Sequence, residues 1–137
     1  ADTWGTELGL LSRGAPVSIL TFRRVPAGIS GGVTPAGTLA SIAGAFFVAV
    51  VATATHVAAF GPVALGGVVG ALIDSILGAS LQALRWCPAC ERACETRLHE
   101  CGTATVMRRG LTWLENDAVN AAATLGGAVV AMLSAAA

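Results

Sequence analysis

Asp74 is the residue of this 137-residue chain whose position most needs a chemical explanation. It stands inside an apolar stretch, residues 66–84, that otherwise reads as a membrane-spanning helix. A carboxylate at membrane depth is costly and marks ion paths, proton relays or catalytic sites. Gly70, Asp74, Gly78 and Gln82 recur every four residues, which predicts two glycines, an acid and an amide on one helical face. The run Asp2-Thr3-Trp4-Gly5-Thr6-Glu7 adds two carboxylates with hydroxyls between them. Such hard oxygens suit Mg²⁺, usually shared with substrate phosphates. The same run could equally be an ordinary helix N-terminus capped by Asp2 or Thr3. In Glu115-Asn116-Asp117-Ala118-Val119-Asn120, the residues Asn116, Asn120 and Thr124 share a face that Gly127 continues. Two amides and an acid running inward exceed what capping needs.

Two further groups carry chemistry. Arg23-Arg24 followed by Gly28-Ile29-Ser30-Gly31-Gly32 could form a backbone nest for a phosphate, with guanidinium groups adding bidentate contacts. It lacks the Gly-Lys-Ser/Thr of a Walker loop. The second group is Cys87-Pro88-Ala89-Cys90, then Cys94, then His99-Glu100-Cys101. This spacing resembles the ligand supply of a structural Zn²⁺ site. Five candidates for four places leave Cys94 spare and nominate Cys87, Cys90, His99 and Cys101. Free or oxidised cysteines are the other reading. A cysteine nucleophile is disfavoured, because no orienting base stands nearby.

The composition says what holds these groups. The chain is 55% apolar and 12% charged, with a mean hydropathy of +0.74, against about a quarter charged in soluble domains. Gly and Ala are abundant, and all eight positive charges are Arg. Small residues let membrane helices approach closely; the alternative is a soluble Ala-rich bundle. Zero net charge and the lack of a basic patch argue against nucleic acid. Residues 1–35 read as a polar segment ending in a Gly-rich loop, 37–60 as one span, Gly61-Pro62 as a tight break and 63–84 as a second span. Residues 85–114 read as a Cys/His-containing loop and 116–135 as a third span. Arg13, Arg23 and Arg24 precede the first span, and the other five arginines lie between the second and third, so both segments face the cytoplasm by the positive-inside rule. Trp4, Trp86 and Trp113 read as interfacial anchors at span ends, and His56 as an interfacial residue. The chain begins without Met, within a motif, and is expected to be the C-terminal part of a longer protein.

Together these runs resemble the DUF92 family of integral membrane proteins, which includes transmembrane protein 19 and the plant and cyanobacterial phytyl-phosphate kinases. The runs that carry the resemblance are 2–9, 23–34, 37–41, 74–82 and 109–120, in the family's order. The resemblance implies an all-α integral membrane protein, with about three transmembrane helices in this chain. It implies, for some members, transfer of a phosphoryl group from a nucleoside triphosphate (CTP) to an isoprenoid monophosphate such as phytyl or geranylgeranyl phosphate. On that reading Asp2, Glu7, Asp74 and Asp117 hold Mg²⁺, with Asp74 and Asp117 catalytic. Arg23, Arg24, Ser30, Gly31, Gly32, Gln82, Asn116 and Asn120 hold phosphate or nucleotide. The alternative is a transporter or lipid-binding membrane protein with Asp74 in the pathway.

Overall fold

The computed structural model describes residues 1–11 and 14–137; Arg13, counted above toward orientation, lies outside them. Three long apolar helices dominate: α2 (Pro35–Ala54), α3 (Phe60–Ser80) and α4 (Asn116–Ala135). They are preceded by a shorter helix, α1 (Asp2–Leu10). A two-stranded ribbon, β1 (Val17–Ser18) with β2 (Gly32–Val33), sits between α1 and α2. A three-stranded antiparallel sheet lies between α3 and α4, with β3 (Leu84–Cys87) flanked by β4 (Arg92–Cys94) and β5 (Val106–Arg109).

The span ends correct the sequence reading. α2 starts earlier than residue 37 because Thr34 caps it, its Oγ1 accepting from the Gly37 N–H at 3.0 Å, with Pro35 in the first turn. It stops at Ala54, where Thr55 Oγ1 bonds back to the Val51 carbonyl and His56 turns to a positive φ. Gly61-Pro62 is not a break. It lies in the first turn of α3, where the missing N–H of proline costs nothing. α3 ends at Ser80 rather than residue 84, because the β5–α4 connection folds back onto it. The Leu111 N–H donates to the Leu81 carbonyl (2.8 Å), and the Arg109 guanidinium donates to the carbonyls of Ala79 and Ser80. A cation at that end also complements the helix dipole. Residues 85–114 are therefore a small sheet with tight turns, not a loop.

Small residues set the helix spacing. α1 runs antiparallel to α2, with Gly9 against Thr34 and Gly37 and Ala1 against Gly44. Trp4 consequently stacks on Phe47 (5.6 Å) partway along α2, not at a span end. Trp86 lies in β3 under the Arg108 guanidinium, and Trp113 is exposed just before α4. Between α3 and α4 the backbones touch: a Cβ on Gly66 would come within 2.6 Å of the Gly127 carbonyl oxygen, and the reverse substitution meets the Gly66 carbonyl at the same distance. Gly66→Leu is therefore expected to force α3 and α4 apart and cost about 1–3 kcal/mol. Thermal unfolding in detergent, with the exposed Leu65→Ala as control, measures it.

Candidate functional site

Asp2 and Thr6 stand one turn apart on α1, Thr38 and Ser41 share a face of α2, and Ala71, Asp74 and Ser75 share a face of α3. These faces, with the loop at Ala27–Thr34, enclose a cavity of about 530 Å³. Glu95, one residue beyond β4, and Asn116, the first residue of α4, complete its polar lining. Asp74 is only six residues from the end of α3 at Ser80, about 9 Å of helix. It thus lies four residues, about 6 Å, nearer that end than the helix midpoint at Gly70.

Three carboxylates, of Asp2, Asp74 and Glu95, face this cavity, and its described lining contains no Lys, Arg or His. The Asp74 Oδ1 atom is buried with no hydrogen-bond partner. A desolvated carboxylate without a counter-charge costs several kcal/mol. Converging acids with an orphaned oxygen therefore suit a cation. The donors are all hard oxygens, counting the hydroxyls of Thr6, Ser41 and Ser75, and that set fits Mg²⁺ better than a softer ion.

The Gly-rich loop is clamped over α3. Gly31 (φ +77°) packs directly on the backbone of Ala79, and a Cβ on Gly78 would come within 2.8 Å of Ser30 Cβ. Glu95 completes the clamp. The Ser30 N–H donates to Glu95 Oε1 (2.7 Å), the Ser30 hydroxyl donates to Oε2 (2.8 Å), and Gln82 Nε2 donates to Oε2 (2.8 Å) and to Ser30 Oγ (3.0 Å). The two polar segments flanking α2 and α3 do meet. Gln82, 2% exposed, lies beyond the end of α3 and so does not continue the Gly70–Asp74–Gly78 face; it belongs to this clamp. Ser30, expected to hold phosphate, has both donors bonded to a carboxylate. Sequence reasoning missed Glu95, since nothing in its neighbourhood sets one acid of a charged stretch apart from the others.

A second cavity of about 670 Å³ runs between α2, α3 and α4. It is lined mainly by apolar and small residues such as Ala45, Val48, Val63, Gly67 and Ala131. Asp2, Ala71 and Asp74 line both cavities, so the two acids stand between the chamber that also holds Glu95 and the groove among the long helices. Asn120 lines the groove, not the chamber. Four nominated residues are not brought in. Glu7, Arg23, Arg24 and Asp117 are exposed and line neither cavity. Arg23 and Arg24 follow the β1 turn, where they pair through backbone with Ser18 and Val17. Asp117 faces outward from the first turn of α4, and Glu7 lies opposite the α1 face that meets α2.

The Cys/His residues form a separate cluster. Ligand atoms of Cys87, Cys90, His99 and Cys101 all lie within 4.8 Å of one another and could hold a metal ion; Cys94 is left out. The Cys101 thiol, bonded to the Thr103 hydroxyl and to His99, is lowered to about 6. Behind the cluster Glu115 ties the sheet to α4. It accepts from Arg97 Nε at 2.7 Å and pairs with Arg85 at 3.6 Å, and the Arg97 bond holds its carboxyl below the usual range.

Comparison with known proteins agrees with the membrane architecture. The family model described as integral membrane protein DUF92 matches residues 1–128. Protein PGR of Arabidopsis thaliana is 35% identical over 133 residues, covering 87% of this chain and 45% of the relative. The uncharacterized membrane protein MJ0933 of Methanocaldococcus jannaschii is 30% identical over 139 residues, covering 97% of this chain and 45% of the relative. The chain thus spans just under half the length of these relatives. No solved structure matches it. A match over nearly the whole chain, on three apolar helices long enough to cross a bilayer, makes the chain a member of the DUF92 family of integral membrane proteins.

Proposed function

We propose that the two connected cavities serve phosphoryl transfer to a lipid phosphate: from a nucleoside triphosphate, CTP, to an isoprenoid monophosphate such as geranylgeranyl or phytyl phosphate. The observation that carries the reading is the place of Asp2 and Asp74, which line both the cavity that also holds Glu95 and several hydroxyls and the groove walled by residues such as Val48 and Val63. A substrate with a phosphate head and a prenyl tail matches that junction, with its tail along Val48, Val63 and Gly67. Asp2 and Asp74 would hold Mg²⁺, which when bound would neutralise phosphate charge.

This chain's own residues then position the reactants. The hydroxyls of Thr6, Ser41 and Ser75 and the Asn116 amide bond phosphate oxygens, and the clamped Gly-rich loop walls off the chamber. An oxygen of the acceptor phosphate forms a bond to the γ-phosphorus as the bridging β–γ bond breaks. The products are the isoprenoid diphosphate and the nucleoside diphosphate. The acceptor is already largely ionised near neutral pH, its second pKa being about 6, so no general base is required. Arg23, Arg24, Glu7 and Asp117 have no part in this geometry. The Cys/His cluster stands outside both cavities, and its thiolates suit a structural Zn²⁺. The Arg-bearing ends face the cytoplasm, where nucleotide is found.

The test is thermal unfolding of the intact protein in detergent with CTP and Mg²⁺ together. A ligand at a hundred times its dissociation constant adds about 2.7 kcal/mol, so the midpoint should rise by several degrees with both present and by much less with either alone. No shift with the pair, but one with isoprenoid phosphate alone, would favour transport or lipid binding.

A further inference from the structure

The Cys/His cluster and the clamp on the Gly-rich loop are the two ends of one hairpin. Cys87 ends β3 and Cys90 lies in the turn before β4, while Gln82 lies two residues before β3 and Glu95 immediately follows β4. The pairing Arg85↔Cys94 and Cys87↔Arg92 runs from one end to the other. His99 and Cys101 come from a second tight turn, closed by the Gly102 N–H to the His99 carbonyl (2.8 Å) and the His99 N–H to the Thr103 carbonyl (3.0 Å). Two turns thus face each other with two ligands each. Glu91 and Gly102 hold positive φ at the tips of the two turns.

The spacing of these atoms indicates what belongs between them. Cys87 Sγ and Cys101 Sγ are 3.6 Å apart, and His99 Nδ1 is 3.2 Å from Cys101 Sγ. Two sulfurs each about 2.3 Å from a tetrahedral Zn²⁺ stand about 3.8 Å apart, whereas a disulfide brings them to about 2.05 Å. A hairpin with strands of four and three residues is marginal on its own, and a bound metal is one common way to fix such a small unit.

We propose that Zn²⁺ bound by Cys87, Cys90, His99 and Cys101 fixes the β3–β4 hairpin and thereby holds Glu95 as a latch on Ser30, so that metal occupancy governs closure of the Gly-rich loop over the chamber. Glu95 is a positioning residue, acting through the Ser30 N–H and hydroxyl. The coupling rests on the hairpin and the hydrogen bonds, and it stands whatever the chamber's substrate.

The intact protein in detergent tests it by zinc analysis and by amide hydrogen exchange at residues 29–33. About one zinc per chain is expected. Replacement by Co²⁺ should give the intense visible bands of a tetrahedral thiolate site. Cys90→Ser and Cys101→Ser should each lose the metal. Chelation should speed exchange of the Ser30 amide about tenfold or more while α3 and α4 keep their protection, and added Zn²⁺ should restore it. Glu95→Gln should keep the zinc yet show the same faster exchange. Three results would overturn the inference: less than about a tenth of a zinc per chain with the cysteines in disulfides, Ser30 exchange indifferent to chelation, or exchange rising equally in α3 and α4. No nucleotide enters these measurements, so a protein that fails as a kinase can still pass.

Discussion

Asp74→Asn should reduce phosphoryl transfer by about a thousandfold, the scale seen when a preorganised electrostatic group is removed from an active site. The substitution keeps the shape of the side chain and removes the charge that, with Asp2, would compensate a divalent cation on the proposed reading. Stability should respond in the opposite direction. The Asp74 Oδ1 atom is buried and unpaired, so in Mg²⁺-free buffer the amide should leave the unfolding midpoint unchanged or raise it. Turnover and unfolding of the same preparation separate the two effects. A variant that unfolds early and has proportionally low activity would mean a structural role. One with normal turnover would remove Asp74 from the metal site.

Gly31→Ala is expected to destabilise the fold strongly. At φ +77° an L-residue costs about 1–2 kcal/mol. The added Cβ would also drive into the backbone of Ala79, which cannot rotate away, and such overpacking costs about 1–3 kcal/mol more. Gly28 supplies the control. Its φ is +83°, but a Cβ there meets nothing within 4 Å. Gly28→Ala should therefore show only the conformational part. The difference between the two unfolding midpoints measures the contact of the loop with α3. Equal effects would show that the loop does not rest on Ala79.

The three spans could be read from the chain because apolar runs of about twenty residues announce themselves by composition alone. Asp74 stood out for the same reason, as an isolated cost. The four metal-ligand candidates were legible because Cys-x-x-Cys and His-x-Cys spacings are local. The rest depended on contacts across the sequence. α1 is only one of two readings of residues 2–7, because Gly5 and Gly9 are poor helix formers whose presence makes sense only once α2 is packed against them. Gln82 keeps the four-residue spacing of the Asp74 face but falls off it, because the end of α3 is set by Arg109 and Leu111, some thirty residues later. Strands of three or four residues leave no readable alternation, and so the sheet, and with it Glu95, was read as loop. Arg23 and Arg24 are near the Gly-rich loop in sequence, but the β1 turn carries them to the surface.

The most direct test of the account is to incubate the intact protein with Mg²⁺, geranylgeranyl phosphate and CTP carrying a labelled γ-phosphate, and to separate the lipid products. The account predicts label in the lipid diphosphate, dependent on Mg²⁺ and abolished by Asp74→Asn. Label that stays in CTP, with protein that is folded and shows no Mg²⁺-dependent nucleotide binding, would contradict it.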